Sequence, residues 1–262
     1  MTLTLSISPC PNDTFMFDAL VNGRIDTRGL EFAVSYADIE ELNRGVMSGG
    51  GVDISKISYA VLPEIAGRYR LLDSGSALGR GNGPLLVARE GVDIHSAGVR
   101  VVVPGFYTTA NLLLRRLYPE LTNVESLLFS SIAPSIAAGD FDAGVLIHEG
   151  RFTYQKYGLQ LVADLGEEWE AATGLPLPLG AIVVSRDLPE GVQTTVEELI
   201  RESVQYALDR PIVSRDYVKS HAAELSDEVI DSHIRLFVND FSLSLPLAAR
   251  RAVTALTGVC VT

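Results

Sequence analysis

Short apolar runs that alternate with helical patterns along the whole chain constrain its fold more than any other feature. Residues 3–8, 30–35, 53–58, 99–103, 126–129 and 143–147 read as strands. Between them lie amphipathic stretches: Met16, Ala19 and Leu20 recur at helical spacing before a stop at Gly23. Farther on, Thr195 with Glu198 forms a capping box, and Val196, Leu199, Ile200, Val204, Ala207 and Leu208 make an apolar face. Ser226-Asp227-Glu228 opens another helix, and a last one runs over residues 246–257. Such alternation predicts an α/β fold.

Two extended segments, residues 84–89 and 180–185, read as crossings between lobes. The spacing predicts a larger lobe of residues 1–88 with 182–262 and a smaller one of 91–179, joined at 89–90 and 180–181. A faint internal echo accompanies this division. Residues 51–59 and 140–148 each run apolar residue, aspartate, short strand, then a polar residue at the strand's carboxyl end. If the lobes are similar facing units, Ser58, Tyr59 and His148 approach one cleft.

Composition narrows the partners. With 33 acids against 21 bases the net charge is −12, and no basic run offsets it, so nucleic acid and anionic membranes are not expected partners. A small anionic ligand needs local help from helix N-termini and from cations such as Lys56. No apolar run approaches the ~20 residues of a membrane helix, and the first residues do not form a signal peptide. Two cysteines, Cys10 and Cys260, are too few for a disulfide scaffold and read as reduced thiols in a cytoplasmic protein. The histidines have no partner at metal-ligand spacing, so no metal is expected.

The loop Ser8-Pro9-Cys10-Pro11-Asn12-Asp13-Thr14-Phe15 hands the first strand to a helix. Its prolines pre-shape the turn, Asn12 or Asp13 offers a capping oxygen, and the helix N-terminus presents N–H groups at the sheet's carboxyl edge. An ordinary βα loop fits the same residues. Thr108-Thr109-Ala110 opens a second helix in the same way; Thr108 or Thr109 as a simple cap is the competing reading. Lys56 in an apolar strand needs a counter-charge or a cleft. Gly81-Asn82-Gly83-Pro84 permits close backbone approach or is a plain turn, and it lacks the ending of a nucleotide-binding loop. His148 stands just beyond a continuous apolar strand, where α/β proteins keep their sites, and an imidazole titrates near neutrality as a general base requires. A structural histidine is the alternative. Glu149 beside it reads as a solvated acid at a helix start.

These segments, with Asp53-Ile54-Ser55-Lys56-Ile57-Ser58-Tyr59, Pro104-Gly105-Phe106-Tyr107-Thr108-Thr109-Ala110 and Leu146-Ile147-His148-Glu149, resemble in order and interval the 1,4-dihydroxy-6-naphthoate synthase family of the futalosine route to menaquinone. The resemblance covers nearly the whole chain. It implies a two-lobed periplasmic-binding-protein-like (type II) fold with a ligand cleft between lobes, and a cofactor-independent carbon–carbon lyase. It implies His148 as catalytic base. Asn12, Asp13, Thr14, Lys56, Ser58, Tyr59, Asn82, Thr108, Thr109 and Ala110 become candidate contacts for a small carboxylate substrate. A non-catalytic binding module of the same fold, and the related chorismate dehydratase, are the alternatives.

Overall fold

Leu3, Leu5 and Ile7 are fully buried and alternate with Thr2, Thr4 and Ser6 along β1 (Thr2–Ile7), as the period of a half-covered strand requires. The computed structural model describes residues 1–49, 51–222 and 225–261. After β1 the chain enters α1 (Pro11–Val21) with proline at its first position, where the missing N–H costs nothing. Cys10 is the N-cap and makes no side-chain cap bond, so the capping expected of Asn12 or Asp13 does not occur. The helix starts two residues too early for Asn12 to cap it and three too early for Asp13. Then follow β2 (Glu31–Tyr36), α2 (Ile39–Met47) capped by Asp38, the wholly buried β3 (Ile54–Ser58), α3 (Leu62–Ile65), β4 (Tyr69–Leu71) and β5 (Ala77–Gly79).

A second compact unit, Arg80–Leu177, holds β6 (Leu85–Ala88), β7 (Val101–Val103), α4 (Thr109–Leu117), β8 (Val124–Ser126), α5 (Phe129–Ala138), β9 (Ala143–Leu146), α6 (Gly150–Thr153), β10 (Gln160–Asp164) and α7 (Leu165–Thr173). Its sheet runs β10-β6-β9-β7-β8. The segment 126–129, expected as one strand, is split: Ser126 ends β8 and Phe129 begins α5. Residues 85–88, expected in the larger lobe, pair with β9 and β10 and belong here.

The chain returns through β11 (Leu177–Ser185) to α8 (Glu190–Asp209), α9 (Arg215–His221), α10 (Asp227–Phe237), α11 (Asp240–Leu243) and α12 (Leu247–Thr257). The first unit is thus Met1–Gly79 with Pro178–Thr262, and its sheet runs β2-β1-β3-β11-β4 with β5 against β11. Thr195 lies inside α8 rather than capping it, because its hydroxyl bonds back to Gly191 O at 2.8 Å. Most of α1 is buried, and Ser203 of α8 pins it by donating to Met16 O at 2.7 Å and accepting from Leu20 N at 3.1 Å. Phe15, Phe17, Leu199 and Val204 join one core there, each contributing about 1.5–3 kcal/mol by burial.

The internal echo has a topological counterpart. β3 pairs parallel with β1 and antiparallel with β11; β9 pairs parallel with β7 and antiparallel with β6. Within each unit, the strand before the candidate polar residue is central, and a strand–loop–helix lies beside it.

Candidate functional site

In the first unit, the loop after β1 builds a closed polar network. Asp13 is fully buried, and its Oδ2 accepts from Ser8 N at 3.2 Å and Ser8 Oγ at 2.7 Å. Its Oδ1 accepts from Asn12 Nδ2 at 2.8 Å and from Lys56 Nζ at 2.6 Å. Four donors converge on the carboxylate, so Asp13 organises the loop. Lys56 thereby has the counter-charge that a buried strand lysine needs, and its positive charge is compensated locally. Room for the ammonium comes from Gly180, where a Cβ would lie 2.9 Å from Lys56 Cε. Gly180 is the register partner of Ser58, so the lysine head lies beside that residue.

Ser58 ends β3 and is held by a residue that no local pattern singles out. Asn43 of α2 accepts from Ser58 N at 2.7 Å through Oδ1 and donates to Ser58 Oγ at 3.0 Å through Nδ2. The hydroxyl proton is therefore not spent on Asn43. Two neighbours turn away from this role. Thr14 is buried and bonds back to Cys10 O at 3.1 Å. Tyr59 is fully buried with its hydroxyl 2.8 Å from Ser76 Oγ, and burial pushes its pKa up. Both hydroxyls are thus engaged within the first unit.

In the second unit, Thr108 caps α4: its Oγ1 accepts from Asn111 N at 3.2 Å and donates to Gly105 O at 2.8 Å. Asn111 Nδ2 donates to Phe106 O at 2.9 Å and fastens the loop from within. The cap reading holds for Thr108. Thr109 and Ala110 form the first turn, at the positive end of the helix dipole. Asn82 is buried in a loop tied down by its flanks. Gly81 N donates to Glu170 Oε1 at 2.7 Å, and Arg151 donates to Gly81 O at 3.2 Å, to Gly83 O and to Asp164 Oδ2 at 2.9 Å. The space beside Gly83 is filled by Gly166, whose backbone N would lie 2.2 Å from a Cβ there. Close approach is thus to the protein's own backbone.

His148 follows β9 by two residues with φ +52, the left-handed region that non-glycine residues adopt at a cost of about 1–2 kcal/mol. Backbone strain of this kind collects at functional sites. The ring is half-buried and meets Phe129 edge-on with centroids 5.0 Å apart. Glu149 is half-buried rather than solvated, and loss of water raises its carboxyl pKa above the ordinary value. Among the described residues no group of three or more His, Cys, Asp or Glu could hold a metal ion. Nor, among them, is any helix long and apolar enough to cross a membrane.

A chain from Streptomyces coelicolor named 1,4-dihydroxy-6-naphthoate synthase is 45% identical over 249 residues, 93% of this chain and 87% of the relative. One of the same name from Thermus thermophilus is 48% identical over 254 residues, 97% and 92% of the two. A solved structure from Archaeoglobus fulgidus superposes with TM-score 0.91 at 34% identity, covering 97% of this chain and 95% of that one. The alkanesulfonate-binding protein of Xanthomonas axonopodis superposes with TM-score 0.71 at 14% identity over 97% and 90%, so the fold is periplasmic-binding-protein-like. The family described as menaquinone biosynthesis matches residues 3–262, and this chain belongs to it.

Proposed function

We propose that the chain is a carbon–carbon lyase that converts cyclic dehypoxanthinyl futalosine to 1,4-dihydroxy-6-naphthoate and dihydroxyacetone. The carrying observation is an imidazole held in a strained left-handed conformation at the end of β9, in a chain nearly half identical to two synthases of that name. His148 takes the proton that starts the elimination. The bond to the three-carbon fragment then breaks with its electron pair leaving on that fragment, which takes the proton back to become dihydroxyacetone, and the ketone left in the ring tautomerises to the aromatic diol. The step consumes neither oxidant nor water, which suits a cofactor-independent enzyme. A positioned base of this kind contributes ~10² to 10⁴ in rate.

Substrate oxygens are bound by the Ser58 hydroxyl, by Lys56 beside it, and by the first-turn N–H groups at Thr109 and Ala110. Asn82 belongs to the same set. Asn12 and Asp13 act behind this set, as holders of Lys56. A small carboxylate is the natural ligand for a helix N-terminus of this type. A reducing, cytoplasmic setting belongs to the same proposal, since Cys10 and Cys260 are both free thiols.

Incubating purified protein with cyclic dehypoxanthinyl futalosine and, separately, with chorismate, followed by mass spectrometry, tests the reading. Release of the naphthoate and dihydroxyacetone from the first substrate alone is the expected result. Dehydration of chorismate, or a shifted melting temperature with no turnover, overturns it.

A further inference from the structure

Among the four histidines, His233 has no assigned task, yet it is fully buried on α10 and reaches the loop after β1. Its Nε2 lies 3.0 Å from Asn12 Oδ1, across 221 residues of sequence. The polarity of this contact follows from the other end of the amide. Asp13 Oδ1 faces Asn12 Nδ2 at 2.8 Å and also receives Lys56 Nζ at 2.6 Å, so that oxygen is an acceptor and the Asn12 amide must turn its NH2 toward it. Asn12 Oδ1 then faces His233, and His233 Nε2 must carry a proton. The ring is further fixed by Phe237, with centroids 4.7 Å apart.

The geometry points to His233 as a positioning residue: through Asn12 it fixes the Asp13 carboxylate and thereby aims the Lys56 ammonium beside Ser58. Without the imidazole donor, the Asn12 amide loses the partner that holds its orientation. A flipped amide sets oxygen against oxygen at Asp13, and Lys56 loses its defined seat over Gly180. The inference rests on the reading of Lys56 and Ser58 as substrate contacts.

Three variants and one spectrum test it. In ¹⁵N NMR of the intact protein, with the ring signal assigned against His233→Gln, Nε2 of His233 is expected to be protonated; an unprotonated Nε2 overturns the chain of bonds. His233→Met removes the donor at similar volume. It is expected to raise KM for cyclic dehypoxanthinyl futalosine about tenfold while kcat changes by less than about threefold. His233→Gln, whose amide can donate from a similar place, is expected to recover most of that KM. Equal damage in Gln and Met variants overturns the inference, because the donor is then immaterial. Lys56→Met separates the two readings. If it raises KM and His233→Met does not, the positioning role falls; if it leaves KM unchanged, the substrate reading of Lys56 falls, and the inference with it.

Discussion

The Asp13 carboxylate and the Lys56 ammonium meet at 2.6 Å with side-chain exposures of 0% and 6%, yet the two charges are supported unequally. Asp13 keeps three further donors, Ser8 N, Ser8 Oγ and Asn12 Nδ2, whereas Asp13 is the carboxylate that compensates Lys56. Removing one partner of a buried pair strands the other, and the stranded cation is the worse off. Asp13→Asn is therefore expected to cost about 3–5 kcal/mol in urea unfolding. Lys56→Met is expected to cost less, about 1–2 kcal/mol, because the carboxylate remains hydrogen-bonded. Equal losses would contradict this account.

Gly83 and Gly166 meet backbone to backbone in the second unit, and a Cβ on Gly83 would sit 2.2 Å from Gly166 N and 2.3 Å from its Cα. Neither neighbour is a flexible side chain, so strain cannot be relieved by a rotamer change. Gly83→Ala is expected to destabilise the second unit by about 1–3 kcal/mol. Faster hydrogen exchange in β6 and α7, with β1 and β3 of the first unit unaffected, is the readout. Unchanged protection in β6 would show that the two loops part freely.

Local patterns made some of this architecture legible and left the rest dark for a physical reason. β1, β3 and β9 show in their apolar runs, Ser226 marks the start of α10, and Gly23 follows the end of α1 with φ +64. The start of α8 was concealed because a threonine hydroxyl serves equally as a cap or as a back-bond within a helix, and Thr195 does the second. Strand-end positions at Ser58 and His148 follow from the same runs. The long-range supports of Ser58, α1 and the loop after β1 do not, because Asn43, Ser203 and His233 act across 15, 187 and 221 residues and no local period records such pairings. A buried polar residue on an otherwise apolar helix face is the signal that could have found them.

Asp142, at the entrance to β9, is gripped by two arginines. Arg100 binds its carboxylate through Nε at 3.2 Å and backbone N at 2.9 Å, and Arg89 through Nη2 at 2.7 Å. Hydrogen bonds from Arg100 first, and then from Arg89, hold its pKa down at about 2, below the ordinary 3.8. A depressed carboxyl stabilises the fold above the ordinary value, and that contribution is lost as pH falls through about 2. Since the arginines are partly exposed, Asp142→Asn is expected to cost only about 1 kcal/mol at neutral pH. The difference from the parent should close between pH 3.8 and about 2 in acid titrations of unfolding. A gap that persists below that range would assign the cost to packing.

Glu149 has the opposite sign. Burial raises its carboxyl above the ordinary 4.5, so the folded chain holds this proton more tightly than the unfolded one. Stability then falls as pH rises from 4.5 through the folded value. Glu149→Gln carries no such penalty. Its melting temperature is expected to exceed the parent's at neutral pH and to converge with it in acid. Convergence at neutral pH instead would mean that the carboxylate is well solvated or paired when charged.

His148→Asn gives the sharpest test of the chemistry, because asparagine tolerates the left-handed backbone that His148 occupies at φ +52. The turn should therefore survive and the melting temperature should stay near the parent's. What the variant lacks is a nitrogen able to accept a proton near neutral pH. Turnover of cyclic dehypoxanthinyl futalosine is expected to fall by ~10² to 10⁴, while the dissociation constant measured by calorimetry stays within about threefold. Separating kcat from affinity in this way matters, since a histidine that merely packs against Phe129 would lose both together or neither. Undiminished turnover in a folded His148→Asn protein would remove the imidazole from the reaction and leave the strained backbone at that position without a chemical purpose.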